Sequence, residues 1–76
     1  MILHTGGYLA FFMPDQKSRL EIHLEKATSL LEIITRLEIP TAEIFLTTVN
    51  GTMADLKEVV VEDGDEVRII SAVDGG

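Results

Sequence analysis

Cysteine is absent from the 76 residues. That excludes a disulfide framework, a thiolate metal site, a thiol nucleophile and a cysteine-held iron–sulfur cluster. Only two histidines occur, His4 and His23, too few for a zinc site without carboxylate help. Tryptophan is missing, and aromatic residues make up 5% of the chain. Basic residues are also scarce, 6 against 13 acidic ones, giving a formal net charge of −7. Nucleic-acid binding draws most of its affinity from neutralising phosphates, and this charge would repel them. The same sign argues against an anionic membrane surface. No apolar run reaches membrane-spanning length. Residues 1–13 are apolar but lack a basic leader and are interrupted by His4, Gly6 and Gly7. The expected location is the cytoplasm, with neither nucleic acid nor membrane as partner.

What is present suffices for a core. Leu, Ile, Val and Phe make up about a third of the chain, well above the ~20% below which disorder becomes the better expectation. No repeat, linker or low-complexity stretch divides it, so a single domain over 1–76 is expected, with 73–76 as a flexible tail.

Tyr8-Leu9-Ala10-Phe11-Phe12-Met13 is short and rich in β-formers, and reads as the first strand. Pro14 to Ser18 reads as a turn. Arg19-Leu20-Glu21-Ile22-His23-Leu24 alternates strictly, the pattern of a half-buried strand forming a hairpin with its predecessor. Whether Ile2–Thr5 extends the first strand stays open at this level: Gly6-Gly7 is a bulge, a bend or the end of a loose N-terminus, and the role of His4 to Gly7 is not assigned. Leu30, Ile33, Ile34 and Leu37 then fall on one helical stripe, started by a Ser29/Glu32 capping box and ended before Pro40. Ile44 to Val49 is a β-branched strand closed by the tight-turn pair Asn50-Gly51. Thr52-Met53-Ala54 is a short return strand, with Leu56 and Val60 as anchors of an irregular link. Glu62 to Asp65 is a turn, and Glu66 to Ala72 the last strand.

One helix must bury its stripe against one face of a mixed sheet. With right-handed crossovers, the first and last strands lie parallel in the centre. The expected class is α+β, a ubiquitin-like β-grasp: a mixed sheet of four to five strands with one main helix packed on one face.

The terminal Gly75-Gly76 is the most informative feature. Glycines without Cβ thread a narrow channel and let a partner's backbone approach closely, so such a tail delivers a carboxylate into another protein's active site. Val49-Asn50-Gly51, Asp63-Gly64-Asp65-Glu66-Val67 and Ala72-Val73-Asp74-Gly75-Gly76, with the capped helix ending in Ile39-Pro40, together resemble the ubiquitin-like sulfur carriers of the ThiS/MoaD family. The resemblance runs roughly from Leu9 to Gly76. It implies a carrier without catalytic residues or a bound cofactor. A partner adenylyltransferase related to ubiquitin activators would adenylate the Gly76 carboxylate, which is then converted to a thiocarboxylate. A synthase would accept the sulfur, in molybdopterin, tungstopterin or thiamine biosynthesis. Ser71-Ala72, where the molybdopterin branch carries two prolines, is closer to the thiamine branch; Phe11-Phe12 is closer to the molybdopterin branch.

If Val67 and Ile69 face the helix, alternation sends Arg68 and Ile70 to the opposite face. Ile70 stands where the family places an apolar contact for the activating enzyme. Arg68, Ile70 and Val73 are therefore the candidate partner-binding residues, beside Gly75 and Gly76. His23 on a polar strand face and the acids Glu62, Asp63, Asp65 and Glu66 read as solvated groups, and no metal site is expected. Two other readings remain open: a protein modifier conjugated through Gly76, and a non-catalytic interaction module.

Overall fold

A computed structural model describes residues 1–72 of the chain. In chain order the elements are β1 (Ile2–Gly6), two 3-10 turns (Leu9–Phe12 and Pro14–Gln16), β2 (Arg19–Glu21), β3 (Thr28–Ser29), helix α1 (Leu30–Arg36), a third 3-10 turn (Thr41–Glu43), β4 (Ile44–Val49), β5 (Thr52–Met53), β6 (Val60–Val61) and β7 (Glu66–Ser71). The main sheet runs β2-β1-β7-β4-β5, while β3 and β6 form a separate ribbon. β7 lies in the middle, parallel to β1 and antiparallel to β4. Leu30, Ile33 and Ile34 of α1 join Leu3, Val67 and Ile69 in one buried cluster, so the helix covers one face. This is the β-grasp, an α+β fold.

The first strand is not where the apolar run suggested. Ile2–Gly6 forms it, and residues 9–12 coil into a 3-10 turn with Phe11 N–H donating to Tyr8 C=O at 3.1 Å and Met13 N–H to Ala10 C=O at 3.0 Å. A short apolar run carries no period of its own. Here Leu9 and Met13 are buried, at a helix-like separation, while Phe11 stays 69% exposed. Gly6 ends the strand and Gly7 turns left-handed (φ 67°). The Val60 anchor is also corrected: Val60 points outward and Val61 is buried, because pairing of Val60–Val61 with Thr28–Ser29 imposes alternation.

The helix begins as its cap demands, with Glu32 N–H donating to Ser29 Oγ at 3.4 Å. The reciprocal half of the capping box does not form; the Glu32 carboxylate turns to Arg36 Nη2 at 3.8 Å, one turn on. The helix stops short of the boundary that Pro40 alone would set. Leu37 closes it, Glu38 enters the left-handed region (φ 62°), Glu38 N–H donates to Thr35 C=O at 3.0 Å and Ile39 N–H to Ile34 C=O at 3.2 Å. These are the two bonds of a Schellman motif, and buried Ile39 and Ile34 supply its apolar contact.

The acids of the 62–66 turn are solvent-exposed or half-buried, as expected, and two of them also tie segments together. Asn50 (φ 52°) and Gly51 (φ 84°) make the two-residue hairpin turn. The Asn50 side chain then donates to Asp65 Oδ1 at 3.0 Å and accepts from Glu66 N–H at 2.9 Å. Asp63 Oδ1 accepts the Leu24 N–H at 3.1 Å and faces the Met1 ammonium and His23 Nδ1, each at 3.4 Å. Both carboxyls lie below the usual carboxylate range. The Leu24 amide is the main cause at Asp63, and the Asn50 amide at Asp65.

Two outcomes follow from these details. A left-handed L-residue costs about 1–2 kcal/mol, part of which added glycine freedom in the unfolded chain offsets. Glu38→Gly should therefore raise stability by about 0.5–1 kcal/mol, seen as a higher urea midpoint; a lower one would mean that the Glu38 side chain itself stabilises the fold. Carboxyls held below their ordinary value add stability at neutral pH that is lost as pH falls from that value through the folded-state one. The double variant Asp63→Asn/Asp65→Asn should flatten the drop in urea midpoint between about pH 6 and about pH 3; an unchanged drop would assign the acid sensitivity elsewhere.

Candidate functional site

The face of the sheet opposite α1 has no covering element among the described residues. Strand register arranges it in rows. Arg19, His4, Arg68, Thr48 and Met53 lie side by side across β2, β1, β7, β4 and β5. Gly6, Ile70 and Leu46 form the next row toward the C-terminal end of β7. Arg68 and Ile70 thus share the open face, as alternation requires, with Val67 and Ile69 fully buried on the other. Ile70 is half-buried rather than exposed. Leu46 flanks it on one side. On the other, a Cβ at Gly6 would stand 3.3 Å from Ile70 Cγ1, so glycine lets the isoleucine lie flat across β1. This close approach gives the His4 to Gly7 segment a structural role.

Leu46 and Met53 extend the apolar patch, and the amino-acid pattern did not point to them. For Leu46 the reason is a β-bulge. Ile44 pairs with Ser71 and Leu46 with Ile70, leaving Phe45 as the extra residue. The parity of β4 changes there, so Ile44 packs on the core while Leu46, two residues later, faces the other way. Phe45 is 75% exposed and Met53 73%.

The polar part of the face carries both signs: Arg19, His4 and Arg68 in one row, and Glu21 and Glu66, on either side of Ile2, in the next. Arg68 is exposed and has no ion-pair partner among the described residues; Arg19 reaches only Glu21, at 3.7 Å. His4 Nε2 is buried and unbonded, with Glu66 Oε1 at 3.7 Å, beyond hydrogen-bond range. His23 lies elsewhere, exposed beside Asp63. No group of three His, Asp or Glu residues that could hold a metal occurs among the described residues.

The end of β7 is braced on both sides. Buried Ser71 pairs with Ile44 and accepts the Tyr8 N–H at 3.4 Å. The Tyr8 hydroxyl donates to the Glu43 carboxylate, and that bond raises the phenol above its ordinary value. Ala72, next along, is exposed. Val73, Gly75 and Gly76 lie outside the described residues.

Residues 9–76 match the ThiS family. The chain belongs to this family. A comparison with curated proteins returns no match. ThiS-family proteins are small carriers rather than catalysts. Their role is sulfur carriage for cofactor biosynthesis, with an adenylyltransferase and a sulfur-accepting synthase as general partners. In this ThiS-family chain the match begins after β1, the strand that supplies His4 and Gly6 to the open face. No helix among the described residues is long and apolar enough to cross a membrane.

The two faces of β7 should separate by mutation. Ile69→Ala removes a fully buried side chain and should cost about 3 kcal/mol. Ile70→Ala, on the half-buried face, should cost about 1 kcal/mol. Urea denaturation of both variants measures the difference; equal costs would mean that the open face is packed like the core.

Proposed function

We propose that this protein carries sulfur on its C-terminal glycine. The Gly76 carboxylate oxygen attacks the α-phosphorus of ATP in a partner adenylyltransferase, and pyrophosphate leaves. A hydrosulfide-equivalent donor then adds to the acyl carbon, and AMP departs with the oxygen. The resulting thiocarboxylate gives its sulfur to an acceptor in the synthase, in the molybdopterin, tungstopterin or thiamine route, and water restores the carboxylate. A carboxylate is a poor electrophile, so the adenylate supplies the leaving group.

The observation that carries this reading is the ThiS-family match, which runs through Gly75-Gly76. The open face supports it. Ile70, Leu46 and Met53 offer an apolar centre, and exposed Arg68 offers a polar contact that a partner would complete. Chemistry belongs to the partners: the chain has no cysteine to hold sulfur covalently and uses its main-chain end instead. Val73 and Gly75 would line the partner's channel, where the lack of a Cβ at Gly75 gives room.

ATP–pyrophosphate exchange with the cognate adenylyltransferase is the test. Deleting Gly76 should abolish exchange, and Gly75→Val should suppress it without moving the melting curve. Ile70→Asp and the exposed-site variant Met53→Asp should each weaken the complex, Ile70→Asp by ~2 kcal/mol, the scale of an interface anchor. Wild-type exchange from a chain lacking Gly76 would overturn the reading. Intact mass from the native host should show oxygen replaced by sulfur; a ladder of Gly76-linked conjugates would instead identify a protein modifier.

A further inference from the structure

A second surface lies at the opposite end of the sheet. β2 is an edge strand, paired only with β1. Its inward hydrogen bonds come from alternate residues: Thr5 N–H donates to Ser18 C=O at 2.9 Å, Ile22 N–H to Met1 C=O at 2.7 Å, and the Met1 ammonium to Ile22 C=O at 2.6 Å. Antiparallel pairing alternates, so the backbone N–H and C=O of Arg19, Glu21 and His23 point away from the sheet. None has a backbone partner among the described residues.

Beside this edge runs a groove of about 480 Å³ between residues 22–24 and α1. Ile22, Leu24, Ile33 and Leu37 form its apolar walls. A strand added along β2 would send every second side chain toward these walls, because β2 itself sends Leu20 to the core side, opposite Leu3. The rim carries Lys26 and Arg36 against one carboxylate, Glu32, with His23 beside them. Glu32 meets Arg36 only at 3.8 Å across an exposed pair, and Asp63 faces His23 at 3.4 Å. Such surface pairs hold their members weakly, and Lys26 has no ion pair among the described residues. In a chain of net charge −7, a rim with one more cation than carboxylate favours acidic over basic segments.

We infer that the β2 edge and its groove dock an extended segment of a partner protein, with aliphatic residues at every second position and acidic residues at its ends. Main-chain hydrogen bonds to Arg19, Glu21 and His23 supply affinity, the groove reads the aliphatic side chains, and Lys26 and Arg36 read the acidic ends. β1 and β7 run parallel and β2 against them, so residues 22–24 sit beyond Met1, at the end of the sheet away from Ser71. A partner held here leaves the Ser71 end of β7 unobstructed. This inference does not depend on what Gly76 does.

The probe is a ten-residue synthetic peptide with four alternating aliphatic residues between Asp/Glu ends, titrated against the isotope-labelled chain by two-dimensional amide NMR. Saturable shifts are expected at Arg19, Glu21, His23, Ile33 and Leu37, with Kd on the order of 100 μM. The same affinity is expected for a chain lacking Gly75 and Gly76, which separates this site from carrier function. Lys26→Gln/Arg36→Gln should weaken binding about fivefold with an unchanged melting curve. A proline that removes a peptide N–H facing β2 should abolish it. No saturation by about 1 mM, equal affinity for a peptide with lysine ends, or shifts gathered at Arg68, Ile70 and Met53 would each overturn the inference.

Discussion

The parallel pairing of β1 with β7 is the constraint on which the rest of the structure depends. It places the last strand between β1 and β4, and brings Leu3, Val67 and Ile69 together under α1. A seven-residue helix is too short to persist in water by itself; its stability is borrowed from those three side chains. The same pairing sets the rows of the opposite face. His4 is placed beside Arg68 and Gly6 beside Ile70 because β1 and β7 share a direction. Core and open face are two consequences of one register.

Short polar ties hold the remaining segments to this centre. Asn50 spans the β4–β5 turn and the start of β7, so one side chain fixes two turns against each other. Asp63 gathers the start of β1 and the end of the β2 segment. Tyr8 and Ser71 do the same at the far end of β7. In a small domain with a limited core, these ties decide where loops lie, and loops here border both candidate docking surfaces.

Much of this was legible from residue order alone where a local rule acts by itself. Asn50-Gly51 specified its turn, Ser29 capped the helix, Leu30, Ile33 and Ile34 marked the buried stripe, and Val67 and Ile69 marked the core side of β7. The misreadings arose where two rules compete or where pairing is remote. Residues 8–13 have strand-forming composition, but Gly6 and Gly7 break the chain just before them, and β1 gains its strand character from β7, more than sixty residues away. Leu46 was missed because a bulge at Phe45 reverses the alternation that would have assigned it. Strands of two residues, such as β3 and β6, are too short to show any period. Their existence follows from Leu30 N–H reaching Val59 C=O, a contact that no local pattern encodes.

The central place of β7 also has a consequence for biosynthesis. β1 is translated first among the strands and β7 last, so the growing chain holds one half of its sheet open until residues 66–71 have emerged. A product interrupted before that point has no Val67 or Ile69 beneath its helix, and β1 and β4 both present unpaired edges, a state prone to aggregation and degradation. Arg68 and Ile70 exist only in chains that have passed it. A partner that recognises this face therefore meets only polypeptides in which residues 66–71 have joined the sheet.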